Sequence, residues 1–195
     1  MPQRKDDERR AAILAEAKRL FALQGYEATS VAIIMANLNM PVGSVYTYFQ
    51  DKQTLLVTIL EEGWEEFSQR LEEVIAQSPN ARTSLKIILD QFLPALFGDA
   101  EFITLALNEA GRNFSLADKL GWLSDKIGTL IRAISQELNI PMDFDSTMAN
   151  TALSVYFLGS LQTIRLSKQE GLNISIDDVL HFIRLSIYNT FGSFQ

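Results

Sequence analysis

A chain of 195 residues with 47% hydrophobic side chains is long enough to bury one large core or two small ones. It has no cysteine and a single histidine, His181, which excludes thiol nucleophiles, disulfide frameworks and any multi-histidine metal site within one chain. The net charge of -7 is unevenly spread, with seven bases against six acids in residues 1–55 and ten against eighteen in 56–195, so any nucleic-acid contact is confined to the first quarter.

In chain order, Ile13, Leu14, Ala17, Leu20 and Phe21 fall on one face of a helix. Gly25 can take the left-handed conformation that ends it, with Tyr26 folding back on Phe21. Thr29 or Ser30 caps a second helix that turns Val31, Ile34, Met35 and Leu38 inward. Residues 37–40 make the turn, and Pro41 suits the first position of a short third helix. Val45 and Phe49 point to the core, whereas Val42, Ser44, Thr47 and Tyr48 lie outward and Tyr46 is half in the core with its hydroxyl free. Asp51 caps a long fourth helix to about Gln77, broken by Ser78-Pro79-Asn80.

Beyond residue 80 the helices are longer and greasier, at Thr83–Phe97, Ala100–Asn113, Leu116–Leu138, Ser146–Lys168 and Ile176–Phe191. No period-2 strand pattern interrupts them. The expected fold is all-α, with a helix-turn-helix unit at 1–51, and a connecting helix plus bundle at 52–195.

The stretch Gly25-Tyr26-Glu27-Ala28-Thr29-Ser30-Val31, then Gly43-Ser44-Val45-Tyr46-Thr47-Tyr48-Phe49 and Asp51-Lys52, resembles the tetracycline-repressor (TetR) family of bacterial transcriptional regulators. The turn Leu38-Asn39-Met40-Pro41 departs from the family's usual Ala-Gly-Val-Ser, and Ile33 stands where a polar residue is common. The resemblance implies DNA contacts from Ser30, Val42, Gly43, Ser44, Tyr46, Thr47, Tyr48 and Lys52 on a palindromic operator. Arg4 and Lys5 would add an N-terminal tail following the backbone or entering the minor groove. The outer face offers none of the bidentate readers of guanine and adenine before Gln50. Readout then falls to thymine-methyl contacts of Val42, Thr47 and Tyr48, helped by DNA shape.

One such unit reads few base pairs, so a homodimer is expected. Val155, Gly159 and Gln162 with Leu180, Ile183, Ile187 and Phe191 are the candidate interface, which the resemblance makes a four-helix one. It also implies a small, largely apolar effector, for which Phe92, Leu96, Phe102, Leu105, Asn108, Arg112, Trp122, Tyr156 and Arg165 are the candidates. No catalytic grouping, metal ligand set or cofactor motif stands out, and no apolar run approaches the ~20 residues of a membrane span. The N-terminus is too polar for a secretory signal, so a cytoplasmic protein is expected. The reading is a ligand-responsive transcriptional regulator, a repressor by the family's commoner habit. The alternative is a TetR-fold protein acting through protein partners or as a ligand carrier.

Overall fold

The computed structural model describes residues 2–100, 103, 114–140 and 146–191, and every regular element among them is helical. In order they are α1 (Pro2–Gln24), α2 (Val31–Asn37), a 3-10 helix (Val42–Thr47), α3 (Lys52–Gln77), α4 (Ala81–Ile87), a π-helical turn (Ile88–Phe92), α5 (Leu93–Gly98), α6 (Leu116–Glu137), α7 (Ser146–Glu170) and α8 (Ile176–Phe191). The chain divides into two compact units, with one boundary within α3 at Glu66/Phe67. Phe114 groups with the first unit and packs against its core.

The first unit is organised by one apolar interior. Ile13, Ala17 and Phe21 of α1 meet Ile34 and Met35 of α2, Val45 and Phe49 beyond it, and Leu55 and Leu56 of α3. Local chemistry sets the ends. Gly25 has φ 88°, and its N–H bonds Phe21 O at 3.1 Å, closing α1. Asn39 has φ 53°, with Asn39 N–H on Ala36 O (3.0 Å) and Met40 N–H on Met35 O (2.9 Å), which closes α2 in the same left-handed manner. Asp51 accepts the Thr54 N–H at 2.6 Å and so caps α3. That bond to a backbone donor holds its carboxyl below the ordinary carboxylate value.

A side-chain clamp ties α1 to the end of α2. Glu16 accepts both Arg19 Nε (2.8 Å) and Nη2 (2.7 Å), and also Asn37 Nδ2 at 2.8 Å. The Arg19 bonds first, then Asn37, lower its pKa from 4.5 to about 2. A depressed carboxylate stabilises the fold above its unfolded value and loses that contribution as pH falls through its folded one. Glu16→Gln is therefore expected to lower the melting temperature at neutral pH. The gap to the wild type should close as pH falls from 4.5 towards 2, readable in melting curves across that range. A gap independent of pH would deny the clamp its ionic character.

In the second unit Pro94 shapes the local structure. The Leu93 N–H reaches back five residues to Ile88 O, and the next donor in that series would be Pro94, which has none. The carbonyl of Leu89 is instead taken by Arg184 Nη2 of α8 at 3.1 Å, whose Nε stands 3.2 Å from Asp90 Oδ1. Lys86 bonds the other Asp90 oxygen at 2.9 Å. Helix α8 is thus fixed over the π-helical turn by polar contacts, and Leu89, Phe97, Leu180 and Ile183 of these elements are buried. Its start is a reciprocal cap, with Asp178 N–H on Ser175 Oγ (3.1 Å) and Ser175 N–H on Asp178 Oδ2 (2.8 Å). Helix α6 packs on α4 and α7, and the ion pairs Arg82–Glu137 (3.0 Å) and Lys126–Glu72 (2.6 Å) flank it.

Candidate nucleic-acid interface

The helix-turn-helix is built around Thr29. Fully buried, its hydroxyl donates to Gly25 O at 2.8 Å and accepts Gln24 Nε2 at 3.1 Å, which locks the link between α1 and α2. Ser30 follows with extended backbone (φ -97°, ψ 155°) and accepts the Ile33 N–H at 3.2 Å, so of the two possible caps it is Ser30 that starts α2. Met35 and Ile34 then face inward, and Ile33 is left 39% exposed.

The segment after the turn differs from the expected α-helix. It is a 3-10 helix, and Pro41 precedes it with ψ 135° rather than occupying its first turn. Ser44 N–H bonds Pro41 O (3.0 Å) and Tyr48 N–H bonds Val45 O (2.9 Å), three residues back in each case. Residues three apart eclipse in this winding, so Tyr48 falls in line with the buried Val45. Tyr48 is half-buried against the core and its hydroxyl donates to Asp6 Oδ1 at 3.1 Å. Tyr46, in contrast, is 59% exposed. The expectation that Tyr46 is half core and Tyr48 outward is thus corrected: the 3-10 winding brings Tyr48, not Tyr46, into line with Val45. Val42, Gly43 and Thr47 are exposed, and Ser44 is half-buried with its hydroxyl on Pro41 O at 2.6 Å.

The cations around this surface are mostly engaged. Lys52 Nζ donates to Tyr26 O at 2.9 Å and sits 3.9 Å from the centre of the Tyr26 ring, and an ammonium retains two further donors. Arg10 pairs with Glu62 and lies over Phe49, 5.6 Å from its centre. Arg4 pairs with Glu8 at 3.1 Å, one turn along α1. Arg4 and Lys5 therefore belong to a helix that begins at Pro2, which corrects the expectation of an extended tail. Asp6 was not legible as a partner of Tyr48. The two are 42 residues apart, and no short-range pattern joins them.

In the second unit, Leu180, Ile183 and Phe191 are 3–6% exposed and already covered within their own chain, and Ile187 is half-buried. That corrects the assignment of Leu180, Ile183 and Phe191 to a dimer interface, since they fill the core of their own chain. The exposed apolar residues of the two last helices are instead Val155 (66%), Phe182 (62%), Leu185 (44%), Leu158 (41%) and Tyr156 (39%), with Gly159 and Gln162 also exposed. Tyr156 and Phe182 meet across α7 and α8 at 6.3 Å between ring centres.

Of the effector candidates, Phe92 is a core ring edge-on to Phe67 (5.7 Å), and Tyr156 faces outward, so neither is placed as a cavity wall. Leu96 and Trp122 are half-buried, with Lys126 Nζ 5.1 Å from the Trp122 ring. Arg165 has a buried Nε with no hydrogen-bond partner among the described residues. Phe102, Leu105, Asn108 and Arg112 lie outside the described residues. Among those described, no three metal-ligating side chains gather, and no helix is long and apolar enough to cross a membrane.

Comparison with known proteins agrees with this geometry. Residues 13–59, from the first core isoleucine to α3, match the family described as bacterial regulatory proteins, tetR family. The fatty acid metabolism regulator protein of Bacillus subtilis (strain 168) is 27% identical over 128 residues, covering 63% of this chain and 66% of its own. The HTH-type transcriptional repressor KstR of Rhodococcus jostii (strain RHA1) is 30% identical over 124 residues, covering 62% and 58%. The chain thus spans less than two thirds of the length of either relative. Among solved structures, a transcriptional regulator from Saccharomonospora viridis in complex with choline superposes with a TM-score of 0.78 at 20% identity, over 94% of this chain and 96% of that one. FadR from Bacillus subtilis in complex with stearoyl-CoA gives 0.67 at 20% identity, over 89% and 96%. These likenesses establish a shared all-α fold along most of the chain. The match to the tetR family of bacterial regulatory proteins thus falls on the helix-turn-helix unit, residues 13–59.

Proposed function

We propose that this chain is a cytoplasmic, sequence-specific DNA-binding regulator of transcription, a repressor that works as a homodimer and is modulated by a small, largely apolar effector. The observation that carries this is the helix-turn-helix locked by Thr29 and Ser30, lying within the stretch that matches the tetR family. The DNA-facing surface runs through Val42, Gly43, Tyr46 and Thr47, with Lys52 and the backbone N–H groups at the start of α3 as phosphate contacts. Half-sites one helical turn or more apart, at roughly 34–36 Å, would be met by the two copies.

The effector reading rests on the relatives. Two are named for fatty acid metabolism or solved with an acyl thioester, so long-chain acyl thioesters are the first class to test. Helix α3 belongs to both units, which gives an effector in the second unit a continuous element through which to act on the first. A coupling of about 1–3 kcal/mol would change operator affinity roughly 5–150-fold.

The test is selection from random duplexes, followed by retardation of the enriched sequence. An inverted repeat should emerge, bound in a salt-dependent way and released by the effector. Purified protein that retards no duplex in dilute buffer would overturn the reading and favour a protein-binding role.

A further inference from the structure

Between Val31 and Gln50 the chain carries no charged residue, although this stretch includes α2 and the 3-10 helix. Several of its polar side chains are committed within the protein. Asn37 Nδ2 is on Glu16 (2.8 Å), Ser44 Oγ on Pro41 O (2.6 Å) and the Tyr48 hydroxyl on Asp6 (3.1 Å). The large side chains left turned to solvent are apolar or aromatic, Ile33 at 39%, Val42 at 43% and Tyr46 at 59% exposed, beside the exposed polar residues Asn39, Thr47 and Gln50. Ile33, Val42 and Tyr46 sit on two elements that pack against each other.

Asn39 lies in the turn and Gln50 beyond the 3-10 helix, so Val42–Thr47 itself offers a guanine or adenine edge none of its bidentate readers, Arg, Lys, Asn or Gln. One base presents an apolar group in the major groove, and it is thymine, through its 5-methyl. Covering exposed Ile, Val and Tyr against such methyls recovers the hydrophobic stabilisation that their exposure in water forgoes. Resting on the DNA-binding reading above, we infer that the operator is recognised chiefly through thymine 5-methyl groups, met by Val42, Tyr46 and Ile33. Tyr48 is withdrawn from this set by its bond to Asp6, and Tyr46 takes the aromatic position.

Deoxyuridine differs from thymidine by that methyl alone, which makes the test direct. In the duplex enriched by selection, single thymine-to-uracil replacements at two or more positions of each half-site should weaken binding about fourfold each, the value of one buried methyl. Val42→Ala, Tyr46→Ala and Ile33→Ala should each abolish that penalty at the position its side chain meets and leave it at the others. All three side chains are exposed, and melting curves check that the variants fold. Should one fail to fold, the uracil series on the wild-type protein still decides. Uracil replacements that are neutral at every position of a tightly bound operator would overturn the inference. So would penalties that survive all three substitutions, or losses that appear only when guanine N7 is replaced by carbon. A protein that retards no duplex of any sequence fails at the earlier step, which is a different and recognisable result.

Discussion

Phe21→Ala is expected to destabilise the DNA-facing unit by about 3–5 kcal/mol, the cost of removing a large aromatic side chain from a closed core. Phe21 is fully buried and its ring lies 5.2 Å from that of Tyr26. It therefore supports both the interior and the Gly25 turn that delivers Thr29. Against a usual domain stability of about 5–15 kcal/mol, the loss is a large fraction. The two tryptophans allow the effect to be localised, because Trp64 lies in the first unit and Trp122 in the second. In a Trp122→Phe background, Trp64 fluorescence should report a urea midpoint shifted well below that of the same background with Phe21 intact. Operator retardation should be lost over the same range. An unchanged Trp64 transition would mean that Phe21 does not hold this core together.

What could be read from the sequence was whatever is decided within a few residues. The Gly25 and Asn39 turns, the Asp51 cap and the bounds Ile176–Phe191 of the last helix all depend on neighbours close in the chain. The orientation of the two tyrosines was different. With Val45 and Phe49 inward, α winding places Tyr46 and Tyr48 about equally far from the core, so periodicity cannot choose between them. The 3-10 winding and the distant Asp6 carboxylate make the choice. Val42 shares the face of Val45 in this winding, yet it is the first residue of the helix and remains 43% exposed. The last helix posed a similar ambiguity, since both of its faces are apolar. Packing on α5 and α7 takes Leu180 and Ile183 inward, a decision made by elements far away in sequence. The N-terminal basic residues read as a tail because the acids that hold two of them, Glu8 for Arg4 and Glu62 for Arg10, carry no signal of pairing in the sequence.

The apolar face that this packing leaves outside leads to the second large effect. Val155 at 66% and Phe182 at 62% exposed are bulky side chains on adjacent helices, with Leu158 and Leu185 beside them. Under the proposed function, which needs two half-sites to be met together, exposed apolar side chains of this kind would be covered by a second copy of the chain. A twofold interface is self-complementary, so a substitution on it is introduced twice and close to its own image. Val155→Asp combined with Phe182→Asp therefore places like charges in an environment that disfavours even one. The expected result is a shift in native mass from twice the 21.9 kDa chain to a single chain. Helical content should be unchanged, because neither side chain contributes to the buried core. Operator affinity should fall about 100-fold or more, since each half-site then has to be bound without the effective concentration supplied by the other. Leu180→Asp is the contrasting variant. At 3% exposed it should unfold the bundle rather than separate intact subunits. If the double variant stays dimeric and binds its operator as before, the pairing surface lies elsewhere on the chain.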